Sequence, residues 1–284
     1  MKTSCLCILA AGVILGTAAR ADEAPIIAKA RAYLGSEAAL DGVHSLHWVG
    51  HMVVETAGDP AKGGTADIDI IFQKPWQECV TVVSADALTQ TALDDRDGWH
   101  REQKHTKGDP VVFDPHRSMS LTILGPDQIK SLRTDTWESL YFLRGLEDAG
   151  GRTEDLGPAT VDGIACEKLA LIHEPEIVYY RYFDLATGRL VFSETLKAAK
   201  IREHGEIVSG GIRFPKSIVV LETVDGKDRT TTLTIDSVTV NEPFPASLFA
   251  VPLPPLPLTE FNPGGPNQPA PAPASAAPAP TSPP

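Results

Sequence analysis

Three histidines, His44, His47 and His51, come closest in type and spacing to metal chemistry. On a helix, steps of three and four residues would gather all three on one face. The run around them, Val43 to Thr56 with Trp48, Val49, Met52, Val53 and Val54, reads instead as a strand. There His44 faces away from the other two, and His47 and His51 stand ~13 Å apart at ~3.3 Å per residue. That is too far to share one ion with bonds near ~2 Å. His100, His105 and His116 sit in polar, loop-like surroundings and are expected to be solvated. Asp94-Asp95-Arg96-Asp97 concentrates acid before Gly98, but it lacks the closing glutamate and flanking helices of a calcium loop, so it reads as a charged hairpin tip. Asp67 and Asp69 share one face of an alternating strand, which suits a solvated outer surface. There is no Gly-x-Ser-x-Gly, phosphate-binding loop, dinucleotide fingerprint or HExxH. With no nucleophile–base pairing visible, neither catalysis nor a metal or cofactor is expected.

The first residues read as a signal peptide, 1–21. Lys2 supplies the charge, Cys5 to Ala18 is apolar, and Ala19-Arg20-Ala21 places small residues for cleavage before Asp22. Cys5 and Cys7 lie too early for a lipid-anchoring box, and no later stretch reaches the ~20 apolar residues of a membrane span, so none is expected in the mature chain. Losing 1–21 removes two positive charges and no acid, taking the formal charge from −12 to −14. Such an acidic surface repels phosphate backbones and argues against nucleic acid. Export permits a disulfide between the two remaining cysteines, Cys79 and Cys166; two small buried thiols are the alternative. At the other end, residues 259–284 form an almost uncharged Pro/Ala-rich stretch that cannot build a core and is expected to be a disordered tether. One domain over 22–258 is left.

Residues 24–40 predict a helix, with Ile26, Ile27, Ala30, Tyr33, Leu34 and Ala38 along one stripe and Lys29, Arg31 and Glu37 away from it. Gly35 is the point at which it bends or divides. Strands are expected over 43–56, 67–74, 77–84 and 87–94, then after the Asp97-Gly98 turn. Residues 125–148 predict one or two helices, apolar nearly all round through Trp137, Leu140, Tyr141, Phe142, Leu143 and Leu146, and therefore buried or covering something apolar. Strands resume near Ala159. The chain is organised around a hairpin, 217–223 and 230–240, turned at Asp225-Gly226. In its second arm Leu233 and Ile235 share one face and Val238 and Val240 the other, so a β-bulge is expected near Asp236-Ser237. Phe249 is expected to tuck beneath the sheet.

Four stretches in this order resemble the LolA-like superfamily of lipoprotein-sorting and lipid-handling proteins: AYLGSEAALDGVHSLHWVGHMVV, TVDGIACEKLAL, YRYFDLATGRLVFSE, and GIRFPKSI followed by SVTVNEPFPASLFAVP. The resemblance covers roughly residues 24–252. It implies a mainly β (α+β) fold, a strongly curved antiparallel half-barrel with an N-terminal helix and a helical lid or plug. It implies a periplasmic protein that holds a lipid acyl chain or lipoprotein in its concave face, and it carries over no catalytic residue. The candidate cavity and lid residues are Trp48, Phe72, Trp76, Trp99, Trp137, Leu140, Tyr141 and Phe142. An apolar cavity and an apolar core use the same residue types, and only empty volume separates them. The rival reading is an interaction or sensor module of the same fold that meets an envelope protein and carries no lipid.

Overall fold

In the computed structural model residues 24–252 are described. The expected signal peptide and Pro/Ala-rich tail lie outside them. Thirteen strands form one antiparallel sheet, laid down as two meanders. The first contains β1 (Ser45–Thr56), β2 (Gly64–Gln73), β3 (Gln77–Val83), β4 (Ala87–Asp94), β5 (Asp97–Lys104) and β6 (Met119–Ile123). The second contains β7 (Arg152–Val161), β8 (Ile164–Glu174), β9 (Ile177–Asp184), β10 (Leu190–Thr195), β11 (Lys200–Ser209), β12 (Ile212–Val224) and β13 (Lys227–Val240). β13 returns to pair with β1, so the meanders join at the centre and leave β6 and β7 as unjoined edges. The sheet is curved and open, a half-barrel rather than a barrel.

The central hairpin turns on Asp225 and Gly226, both at positive φ (53° and 73°), which matches the twist of the flanking strands. The expected bulge is present: Val49 faces Ser237 and Gly50 faces Ile235, leaving Asp236 as the extra residue. It restores the apolar phase, so Ile235 and Val238 enter the same core cluster, with Leu233 and Val240 packed against it. Gly50 sits opposite, where a Cβ would lie 2.1 Å from the Thr234 carbonyl oxygen, so no side chain fits without moving the strand.

The N-terminal helix divides at Gly35 into α1 (Pro25–Leu34) and α2 (Glu37–Asp41). Gly35 is extended and bridges to Ile212, and a Cβ there would press within 2.9 Å of the Gly211 carbonyl oxygen. Ser36 then caps α2, its hydroxyl accepting from the Ala39 N–H at 3.2 Å. The middle segment departs from expectation. α3 (Pro126–Leu140) stops before the most apolar residues, and Phe142 and Leu143 take positive φ (48° and 69°). A segment apolar on every side is accommodated by ending the helix and turning Phe142 and Leu143 into two different clusters. β6, the first half of β7 and the first half of β11 were not expected as strands; β6 is exposed at every position and so lacks an in/out alternation.

α3 packs across the concave side of β1–β5, and α1 covers β12 and neighbouring strands. One cluster links Leu40, Leu46, Phe72, Leu140, Phe214 and Ile235; a second links α1, Trp137, Leu143, Leu169 and Phe183. A third lies on the convex side, where Phe249, fully buried, tucks against Ile71, Cys79, Ala92 and Trp99 as expected. No helix among the described residues is long and apolar enough to cross a membrane.

Candidate functional site

The two helices do not fill the concave face. A cavity of about 510 Å³ remains between sheet and helices. Its size falls in the range of small-molecule sites, ~300–1,000 Å³. Alternation brings one face of each strand to it: Trp48 from β1, Ile70 and Phe72 from β2, Val80 from β3, Phe214, Ile218 and Val220 from β12, and Leu233 from β13. Ala30 and Leu34 of α1, with Phe142 and Leu143 after α3, close the other side. Trp48 meets Phe72 and Phe214 edge to face at 6.2 Å and 6.0 Å. Its indole N–H is buried without a hydrogen-bond partner among the described residues.

The lid is not the apolar cover that the sequence suggested. α3 turns Asp135, Glu138 and Ser139 towards the cavity and seats Trp137 and Leu140 elsewhere. Glu138 is held by His173, 2.6 Å from Nε2, and by Arg181, which together with His173 outweighs burial and keeps its carboxyl below the usual range. Three other carboxyls have no ion pair among the described residues, though Arg181 lies near Glu203 and His173 near Asp135. Glu78, 3 % exposed, accepts from the Thr136 hydroxyl at 3.3 Å. Asp135 accepts from the Tyr179 hydroxyl at 3.5 Å, and Glu203 has no hydrogen-bond partner among the described residues. Burial, the largest cause, pushes all three pKa values up: Glu78 well above its usual value, Asp135 to about 7 with Glu138 adding to the shift, and Glu203 in the same direction. Asp135 and Glu203 are partly exposed and both line the cavity.

Arg31 closes the structure behind this lid. Expected off the apolar stripe, it is 1 % exposed. Its guanidinium donates to the carboxylates of Glu37 and Asp41 at 2.7 Å and 2.8 Å, and to the carbonyl oxygens of Tyr141 and Phe142 at 3.4 Å and 2.8 Å. It thereby ties α1 and α2 to the turn that follows α3. Periodicity alone hides this residue, because its partners lie beyond the Gly35 break and more than a hundred positions downstream.

Of the eight expected cavity or lid residues, Trp48, Phe72 and Phe142 line the cavity. Trp76, Trp137 and Tyr141 stack together, with centroids 5.6 Å and 6.1 Å apart, and seat the lid; Leu140 is fully buried core. Trp99 belongs to the opposite face, its indole donating to the Phe249 carbonyl at 2.8 Å. Strand parity explains this, since its neighbour Cys79 and the cavity-lining Glu78 and Val80 alternate along β3. Cys79 and Cys166 are both free and buried, on β3 and β8. Burial pushes Cys79 up to about 12, which makes it a poor nucleophile. The histidines of β1 engage different partners: His47 sits between Asp69 (2.9 Å) and Glu242 (2.8 Å), while His51 leans on Asp236 at 3.4 Å. His105, expected in solvent, is buried. The acidic hairpin tip is as expected, with Asp95 paired to Arg133 of α3 at 2.6 Å.

No protein-family profile matches the sequence, and no curated protein matches it. Solved structures do match. A DUF1329 family protein from Desulfovibrio piger superposes with a TM-score of 0.51 at 12 % identity, over 79 % of this chain and 95 % of that one. A domain described as outer membrane lipoprotein-sorting, from Vibrio parahaemolyticus, gives 0.50 at 10 % identity, over 78 % and 95 %. At such identities the shared property is the backbone path. Two meanders joined at β1 and β13, an open curved sheet and helices across its hollow are the half-barrel fold that this chain shares with those two structures.

Proposed function

We propose that the protein is exported to the periplasm and binds, without catalysis, a lipid or lipidated polypeptide in its concave cavity. The observation that carries this reading is the unfilled, largely apolar space of about 510 Å³ between sheet and helices. Burying apolar surface there yields ~25 cal/mol per Å², or ~0.8 kcal/mol per CH₂, so a long acyl chain binds without any charged contact. The N-terminal pattern of a charged residue, an apolar run and a small-residue box supports export. The lipoprotein-sorting description of the Vibrio domain agrees with the cargo class. In this reading 22–258 is the carrier domain and 259–284 a tether.

Native mass spectrometry of the protein released gently from the periplasm tests it. A population carrying a bound lipid mass is expected, and delipidated protein should take the lipid up again. A bare chain that takes up no added lipid would refute the reading. A protein partner is the second reading, and the β6 edge favours it: Met119, Leu121 and Ile123 are exposed there, on a strand with no further neighbour in the sheet. A protein mass in the same spectra would point that way.

A further inference from the structure

The acidic and basic side chains that line the cavity do not balance. Glu78, Asp135, Glu138 and Glu203 line it, against Arg181 and Arg213. Both arginines have acidic partners, although the Arg181 Nε–H is buried without a hydrogen-bond partner among the described residues. Arg181 pairs with Glu138, and Arg213 with Glu206 at 2.9 Å. Glu78, Asp135 and Glu203 have no ion pair among the described residues, although Arg181 stands near enough to Glu203, and His173 to Asp135, to favour their ionised forms. This is more than a cluster of acids, because the carboxyls face a half-open hollow with an apolar wall. Moreover Glu78 is 3 % exposed, lines that volume, and has one oxygen with no hydrogen-bond partner among the described residues. A carboxyl so placed is costly unless something supplies a donor or a positive charge. Burial pushes these carboxyls towards their neutral form, so an anionic head group would find no cation in them, while a positive charge placed among them would favour their ionisation. An ammonium offers three N–H donors and the missing charge.

Resting on the lipid-binding reading above, we propose that the cavity selects a single-chain amphiphile with a protonated primary amine head. The ammonium lies among Glu78, Asp135 and Glu203, and the hydrocarbon runs along Trp48, Phe72 and Phe214. The specificity thus comes from what the fold leaves unpaired. The amine supplies Glu78 with a donor and a positive charge that no basic side chain among the described residues provides.

The test compares head groups on one chain length by isothermal titration calorimetry with delipidated full-length protein, below micelle-forming concentrations. Dodecylammonium, dodecanoate, dodecanol and the tail-less propylammonium are the probes. Dodecylammonium is expected to bind at least about tenfold more tightly than dodecanoate, the scale of one charge-assisted hydrogen bond. Dodecanol should fall between, and propylammonium should not bind measurably. Glu78→Gln, Asp135→Asn and Glu203→Gln, singly and combined, should shrink the amine preference step by step while leaving dodecanol affinity within about twofold. The dodecanol arm also reports that each variant is folded. Dodecanoate binding as tightly as dodecylammonium, or an unchanged preference in the triple variant, would overturn the head-group proposal and leave lipid binding standing. Propylammonium binding as well as its long-chain counterpart would overturn the amphiphile. Failure of all four probes would sink the cavity reading itself, and the proposal with it.

Discussion

The sheet has two faces, and each carries an apolar hollow with a tryptophan in it. On the convex face Trp99 is 1 % exposed, its indole N–H bonds to the Phe249 carbonyl, and the Phe249 ring occupies the space beside it. On the concave face Trp48 is partly buried, its indole N–H has no partner among the described residues, and the space beside it is empty. Among the described residues the chain supplies an occupant on one side and leaves the other open. Composition does not separate the two. Both hollows are lined by aromatic and branched residues one position apart along the same strands, as Ile71 and Phe72 show on β2. The difference lies in whether a later segment of the chain comes back to fill the hollow.

Substitutions on the filled side should cost folding, and those on the open side should cost binding. The largest effect is expected from Phe249→Ala. It removes a fully buried ring from a close-packed cluster, a change that costs ~3–5 kcal/mol in comparable cores. Urea denaturation should show a much lower midpoint, with lipid uptake per folded molecule unchanged. If instead stability barely moves, the strap carrying Phe249 is not part of the convex core.

Adding volume sharpens the contrast. Ala92 is fully exposed to neither solvent nor void; it is buried at 0 % against Trp99 and Phe249, so Ala92→Leu overpacks the cluster and should cost ~1–3 kcal/mol. Val220 lines the empty side, where a larger side chain meets space. Val220→Phe should change stability by less than ~1 kcal/mol and reduce lipid binding, as part of the cavity is then filled from within. Equal destabilisation by both would mean that the concave space is not available volume.

Much of the fold was legible in local sequence. The Asp225-Gly226 turn, the break at Gly35 and the bulge at Asp236 each follow from a backbone need or a phase change that one residue announces. Strands with little burial contrast, such as β6 and the polar start of β11, carry no such signal. The site was legible only in part. Trp48, Phe72 and Phe142 could be nominated as apolar and large, yet so could Trp99 and Leu140, and parity with long-range packing decides between them. The acidic side of α3 was hidden for another reason. Asp135 and Glu138 are ordinary surface residues by type, and only tertiary placement turns them inward. Arg31 was missed in the same way.

The smallest effect, and the one that divides the faces by pH, concerns His47. It projects to the convex side, packs edge-on against Phe244 at 5.5 Å, and is held between Asp69 of β2 and Glu242 just after β13. Burial works to lower its pKa, but hydrogen bonds and charge from those two carboxylates outweigh it, and the net shift is upward from 6.5. A histidine whose folded pKa is raised stabilises the native state fully below its unfolded value and loses that contribution as pH climbs through the folded one. Both carboxylates are over a third exposed, so solvent screening keeps the effect to ~0.5–1 kcal/mol. The stability gap between wild type and His47→Gln should therefore be widest near about pH 5.5 and close towards about pH 9, measured by urea midpoints across that range. Lipid affinity of the same variant should follow wild type at every pH, because His47 and the cavity lie on opposite sides of β1. A variant that lost binding in step with stability would show that the convex clasp and the concave hollow respond as one unit, and that the comparison drawn between them does not hold.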